Sequence, residues 1–197
     1  MEQLSQQMAF ILELDKLKAV YRQTTVKDDN NRHENSAEHS WHIATMAHVL
    51  YAYASEPVDI HRVTMMLLIH DIVEIDAGDT FAFATQQVLD GQEKKELKAV
   101  DRLFGLLPEN QCQQMKALWL EFEHAQTADS RFAKAMDRIL PLLQNMANNG
   151  GSWTKHNIRK SQAVERNRYL ETAAPHLWKY ALEQIELAAE KGWLLEG

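Results

Sequence analysis

Through most of the chain, apolar residues recur every three or four positions, the period of a helix. Leu4, Met8, Ile11, Leu12 and Leu14 mark a first helix over residues 4–20. Residues 23–36, QTTVKDDNNRHENS, are polar and turn-rich and read as a long loop, a feature often tied to function. Ser36, with Glu38 and His39 behind it, reads as the cap of a helix running to about residue 54 and broken by Pro57. Asp59 caps a helix over roughly 60–75, and Gly78 ends or interrupts that region. Residues 80–90 fit either a short helix or a loop. A charged amphipathic helix follows over 92–106, then one over 109–123. Asp129 or Ser130 caps a helix over 130–147 that stops at NNGG. Two final helices, 155–171 and 175–191, are separated at Pro175. No alternating strand pattern exceeds about five residues, so the expected class is all-α. With no repeat, low-complexity tract or linker, residues 1–197 are expected to form a single domain.

One stretch breaks the apolar pattern in an unusual way. LLIHDIVEIDAGD, residues 67–79, carries His70, Asp71, Glu74, Asp76 and Asp79 directly after an apolar run. Charge this dense beside a core element is costly unless a cation, ion pairs or water neutralise it. On a helix His70 and Glu74 are four apart and Asp71 and Glu74 three apart, so all three share a surface. His70 and Asp71 are splayed by about 100° and could reach one ion only where the helix edge faces a cavity. Alone, the doublet reads as a helix-end ion pair. A nitrogen donor beside a hard oxygen donor suits Mn, Co, Fe, Ni, Zn or Mg without singling one out.

Two ligands are too few for a metal site, and two other segments offer more. In ENSAEHSWHIATMA, His39 sits at the start of the stripe of Ile43, Met46, Ala47 and Leu50. His42, one turn on, competes with it on geometry alone. In FAKAMDRILPLL, Asp137 lies about 140° around the helix from Phe132, flanking the stripe of Phe132, Met136, Ile139, Leu143 and Met146. An aspartate beside such a stripe is unusual unless it is paired or coordinating. Asp76 is expected simply to face water.

Composition narrows the remaining classes. A net charge of −7 leaves no basic excess to neutralise a nucleic-acid polymer. The single Cys112 excludes an intramolecular disulfide and a cysteine zinc cluster, and it fits a reducing cytoplasm. The N-terminal MEQLSQQMAFILELDKLK is too short in its apolar part, and too broken by Glu13 and Asp15, for a signal peptide. No stretch approaches the ~18 apolar residues of a membrane span. A cytoplasmic protein without membrane contact is expected.

A histidine, then a His-Asp doublet, then a distant aspartate on a later helix resembles the HD-domain metal-dependent phosphohydrolase superfamily. His39, His70, Asp71 and Asp137 stand at its four ligand positions. SAEHS, LIHDIVEIDAGD and FAKAMDRI are closer still to its 5'-deoxynucleotidases, the bacterial YfbR-like and eukaryotic HD-domain-containing-protein-2-like enzymes. The similarity covers most of residues 10–171, and the segment from LLPENQ to KAMD is nearer the eukaryotic group. The resemblance implies a helical bundle of the HD-domain type, one divalent metal ion, a homodimer, and hydrolysis of (deoxy)nucleoside 5'-monophosphates as small-molecule substrates. It implies proton handling for Glu74, substrate or site positioning for Asp79, and a phosphate contact for Arg22. Gln23 departs from it: bacterial members carry there an aromatic residue linked to deoxyribose preference, so the sugar preference stays open.

Two other functions fit the same fold. A phosphodiesterase or di-metal oxygenase needs ligands that bridge a second ion, and His61 lies about two and a half turns from His70. A non-catalytic nucleotide-binding module would bind without turnover.

Overall fold

The computed structural model describes residues 1–197, the side chains of Gln86 and Asp90 apart. Helix α1 (Glu2–Glu13) runs into a 3-10 turn (Leu14–Ala19), then a hairpin of β1 (Tyr21–Val26) and β2 (Arg32–Asn35). Helices α2 (Ser36–Leu50) and α3 (Ile60–Ile69) follow, then a 3-10 turn (His70–Val73) and the short α4 (Glu74–Ala77). The long α5 (Gln86–Phe104), α6 (Glu109–His124) and α7 (Ala128–Ala147) come next. The chain closes with α8 (Gly151–Lys155), α9 (Lys160–Asn167), α10 (Leu170–Ala173) and α11 (Pro175–Glu190). The all-α expectation holds for everything except the one small hairpin. Among the described residues, no helix is long and apolar enough to cross a membrane.

Two apolar clusters organise these helices. Ile43 and Ala47 of α2, Met66 and Leu67 of α3, Met136 and Ile139 of α7, and Ile185 of α11 belong to the first. Ile69, Ile72 and Val73 join Phe10, Val100, Leu103, Phe104 and Trp119 in the second. The boundary falls between Leu67 and Ile69, so His70 follows at once on the seam. Each fully buried Leu, Ile or Phe contributes about 1.5–3 kcal/mol. Packing on both sides can therefore hold a costly cluster of charge between the two cores.

Several expected boundaries move, each for a local reason. The helix from Asp59 ends at Ile69 instead of near 75, and His70–Val73 tightens into a 3-10 turn. In that geometry residues three apart eclipse, which aligns Asp71 with Glu74. Trp119 of α6 donates its indole N–H to the His70 carbonyl at 3.0 Å, a tertiary contact that takes an oxygen a continuing helix would use. Gly78, at φ +74° and ψ 158°, then turns the chain away in a conformation that favours glycine.

Residues 23–36 are not a loop but mostly the hairpin, pairing Thr25 with His33 and Val26 with Arg32. Its turn places Asn30 and Asn31 at φ 50° and 55°, a region asparagine tolerates. Helix α2 is capped by Asn35 rather than Ser36: the Asn35 side chain accepts from the Glu38 N–H, and Glu38 accepts from the Asn35 N–H. Thr127, not Asp129 or Ser130, caps α7. The expected 155–171 helix is divided into α8, α9 and α10, and Pro175 opens α11.

Candidate metal centre and its cavity

Three elements converge on the seam. His39 lies in the first turns of α2, His70 and Asp71 open the 3-10 turn, and Asp137 sits midway along α7. One ligand atom from each of His39, His70 and Asp137 lies within 4.8 Å of the others. His39 Nε2 is 3.0 Å from Asp137 Oδ1, and His70 Nε2 is 3.7 Å from the same oxygen. Asp71 stands at the edge of this set, with Oδ1 2.9 Å from His70 Nε2 and Oδ2 2.7 Å from Arg22 Nη1. His42 is on the opposite side: it is exposed and rests against Trp41. The choice between His39 and His42 that rotation leaves open is thus made by the way α2 packs.

The surroundings of the imidazoles suit a metal. His70 Nδ1 donates to the Leu67 carbonyl at 2.9 Å, which leaves Nε2 as the inward nitrogen. That Nε2 is buried and makes no aligned hydrogen bond, although Asp71 is close. His39 Nδ1 points at Glu34 Oε2, 3.5 Å away. Glu34 is held in turn by Thr24 Oγ1 at 3.1 Å and Gln144 Nε2 at 2.7 Å. A carboxylate behind a ligating histidine orients the ring and raises its basicity. Two imidazoles and one or two carboxylates with an orphaned inward nitrogen fit a divalent cation. Among the described residues this is the one group of three such side chains that converges so closely.

Without a metal, charge is balanced by protons and by Arg22. Burial pushes the His70 imidazole down, but Asp71 and Asp137 overcome it and lift its pKa to about 10. Burial also works against ionised Asp71, yet the His70 and Arg22 charges bring it to about 2. Asp137 is likewise held well below the usual carboxylate range, where the bond from His39 and the closeness of His70 outweigh burial. A metal takes neutral imidazole, so loading must displace the His70 proton. At pH 7.5 we expect release of about one proton per metal bound. Calorimetry in two buffers of different ionisation enthalpy measures it, and equal apparent enthalpies would remove His70 as a protonated ligand.

Arg22 is surrounded by carboxylates. Beyond Asp71, its guanidinium lies within 4.0 Å of Glu34, Glu74, Asp79 and Asp137. It is anchored from behind, since His33 Nδ1 bonds the Arg22 carbonyl across the hairpin. Glu74 is buried, and burial together with the Asp71 charge raises its pKa well above the usual glutamate range. Ser36 Oγ donates to Glu74 Oε2 at 2.5 Å and acts in the other direction. Burial raises Asp79 as well. Ser36→Ala removes a donor that favours ionised Glu74, so the acidic limb of the pH–rate profile should move to higher pH. An unmoved limb would mean that Glu74 does not control it.

A cavity of about 230 Å3 opens beside this cluster. Arg22, His70, Asp71, Glu74, Asp79 and Asp137 line it, together with Gln23, Phe81, Phe83 and Trp153. Gln23 Oε1 meets His156 Nε2 at 3.2 Å, and His156 lies 4.5 Å from the Phe81 ring. Asp76 is not simply hydrated, because it pairs with Arg102, which also reaches Glu13 at 2.8 Å. Ser36, Glu34 and Trp119 escape the sequence reading. Ser36 reads there as a cap and Glu34 as loop. Nothing local marks Trp119 as a partner of His70.

The HD domain family model matches residues 14–178. A crystal structure of a predicted metal-dependent phosphohydrolase from Magnetospirillum magnetotacticum MS-1 is 48% identical. Its superposition covers 98% of this chain and 96% of that one, with a TM-score of 0.92. The 5'-deoxynucleotidase HDDC2 of Xenopus laevis is 28% identical over 137 residues, 70% of this chain. The match spans just under two thirds of that relative's length, 66%. A 5'-deoxynucleotidase of Erwinia tasmaniensis is 28% identical over 173 residues, 82% of this chain and 86% of that protein. With a family match over most of its length and a fold shared almost end to end with a 48% identical relative, the chain belongs to the HD domain family.

Proposed function

We propose that this protein is a metal-dependent phosphohydrolase, a 5'-nucleotidase that cleaves (deoxy)nucleoside 5'-monophosphates to nucleoside and phosphate. The observation that carries the reading is the convergence of His39, His70 and Asp137 within 4.8 Å, with His70 and Asp137 on the wall of a cavity that also presents Arg22 and Glu74. In this reading His39, His70, Asp71 and Asp137 hold one divalent ion. When bound, the ion lowers the pKa of water and polarises a phosphoryl oxygen. The donor set is compatible with Mn, Co, Ni, Zn, Fe or Mg.

The protein's own groups supply the rest. Arg22 brings a planar cation that can grip phosphate oxygens bidentately. Glu74, with its raised pKa, takes a proton from the attacking water and delivers one to the leaving 5'-oxygen. Asp79, 3.9 Å from Arg22, positions that guanidinium beside the nucleotide. Phe81 and Phe83 offer apolar faces to the base, and Gln23 offers a polar group to the sugar. A small-molecule nucleotide is the partner in this reading, not a nucleic-acid polymer or a membrane. We place the protein in the cytoplasm as a homodimer. The exposed apolar row of Leu4, Met8, Ile11 and Leu12 along α1 supports the second copy.

The test is a phosphate-release screen. Chelated protein is reloaded with Mn, Co, Ni, Zn or Mg and offered every ribo- and deoxynucleoside 5'-monophosphate. Turnover of at least one is expected. No turnover at full metal occupancy would overturn the nucleotidase reading.

A further inference from the structure

The cavity wall carries two further arginines. Arg138 of α7 and Arg166 of α9 both line it, beside Asp137 and Asn167. Both are half-buried. Among the described residues, neither guanidinium has a carboxylate within 4.0 Å. Arg138 instead donates Nη1 to the backbone carbonyl of Arg166 at 3.3 Å and lies 4.8 Å from the Tyr169 ring. That bond ties the side chain of one arginine to the backbone that carries the other.

The pattern elsewhere makes this pair stand out. Arg32, Arg62, Arg102, Arg131 and Arg168 lie at or near the surface and all have acidic partners. Lys134, also on the cavity wall, is bound by Glu123 at 3.0 Å. Arg22 is saturated by five carboxylates. Arg138 and Arg166 are therefore the cavity arginines whose charge is not already taken. Burial lowers the pKa of Arg166, and the neighbouring Arg138 charge lowers it further. Two like charges partly removed from water, with no carboxylate within 4.0 Å and only the more distant Asp137 charge opposing them, disfavour the fold relative to apolar residues of similar size. An anion entering from outside reverses that balance, and guanidinium groups match the oxygens of a phosphate.

We propose that Arg138 and Arg166 form a seat for the phosphoryl group of a phosphomonoester dianion, distinct from Arg22. The seat rests on the phosphohydrolase reading above and supplies something Arg22 lacks, cationic charge not spent on carboxylates. Arg138 follows Asp137 directly, so a metal ligand and the seat share one turn of α7. The phosphate is thereby held by α7 and α9 in the same cavity that His70 and Asp71 line.

Binding of inorganic phosphate to the metal-loaded protein, followed by titration calorimetry, is the test. Arg138→Met and Arg166→Met should each weaken phosphate about tenfold or more, with metal stoichiometry unchanged, because hydrogen bonds between charged groups are lost. Arg166→Lys keeps the charge without the fork and should fall between Arg166→Met and wild type. Phosphate-free Arg166→Met should melt no lower than wild type, whereas an arginine serving only the fold would lower it. Unchanged phosphate affinity in both methionine variants, or no phosphate binding by the wild type, overturns the seat. Turnover measured in parallel separates the two claims. Arginine-dependent phosphate binding without hydrolysis of any nucleotide removes only the nucleotidase reading. Hydrolysis with arginine-independent phosphate binding removes only the seat.

Discussion

Glu74→Gln should keep its metal and lose about 10²–10⁴-fold in turnover, the usual contribution of a positioned proton-transfer group. The substitution preserves size and the Ser36 contact but removes the ionisable proton. Glu74 is suited to the role by its burial, because a carboxyl group that titrates nearer neutrality can both accept and return a proton. Two neighbours set that balance in opposite directions: Asp71 raises it and Arg22 lowers it. The prediction is checked by metal analysis and steady-state kinetics on one preparation. A variant with full metal and wild-type kcat would take Glu74 out of proton transfer. A variant that loses the metal would instead make Glu74 part of the ligand shell.

The distinction between retained and lost metal follows from how the site is built. The long helices are legible in the sequence because their apolar stripes must face a core, as Phe132, Met136 and Ile139 do in α7. The Asp59 cap is legible because its bonds, to the N–H groups of His61 and Arg62, are local. The hairpin is not, since its inward side chains are Arg22, Thr24 and Glu34 instead of an alternating apolar set. Its core is in effect the charge cluster, and a pattern search for buried apolar residues passes over it. The helix end at Ile69 is hidden for a different reason. The apolar spacing continues through Ile72 and Val73, while the contact from Trp119 comes from 49 residues away. His39 and His42 differ only in which way α2 turns its first two turns, and that depends on α3 and α7 together. Helices α2 and α7 and the 3-10 turn between α3 and α4 thus carry the proposed ligands, and a polar hairpin brings the arginine and the outer carboxylate that balance them.

Asp137→Ala should abolish metal binding and, with it, measurable turnover. Its Oδ1 faces both inward imidazole nitrogens, 3.0 Å from His39 and 3.7 Å from His70. Removal leaves two histidines and Asp71, whose other oxygen is engaged by Arg22 at 2.7 Å. The loss should also be felt without metal. His39 bonds Asp137 and the His70 charge stabilises it, so truncation strips a buried partner from each. Breaking such a buried pair costs about 3–5 kcal/mol as an upper guide, and water entering the cavity would reduce it. The metal-free variant should therefore unfold at lower urea than metal-free wild type. Asp137→Asn keeps the volume but not the charge, so it should fold better than Asp137→Ala and still bind metal poorly. Asp71→Ala should lose metal and activity as well, while also freeing Arg22 from its shortest ion pair. Mass spectrometry of the native protein reads the metal directly, and urea titration of the chelated forms reads the stability. Normal metal stoichiometry in Asp137→Ala would remove it from the ligand set. Weak metal binding with unchanged metal-free stability would mean that Asp137 serves the ion alone and that the two imidazoles hold their places through Leu67 and Glu34.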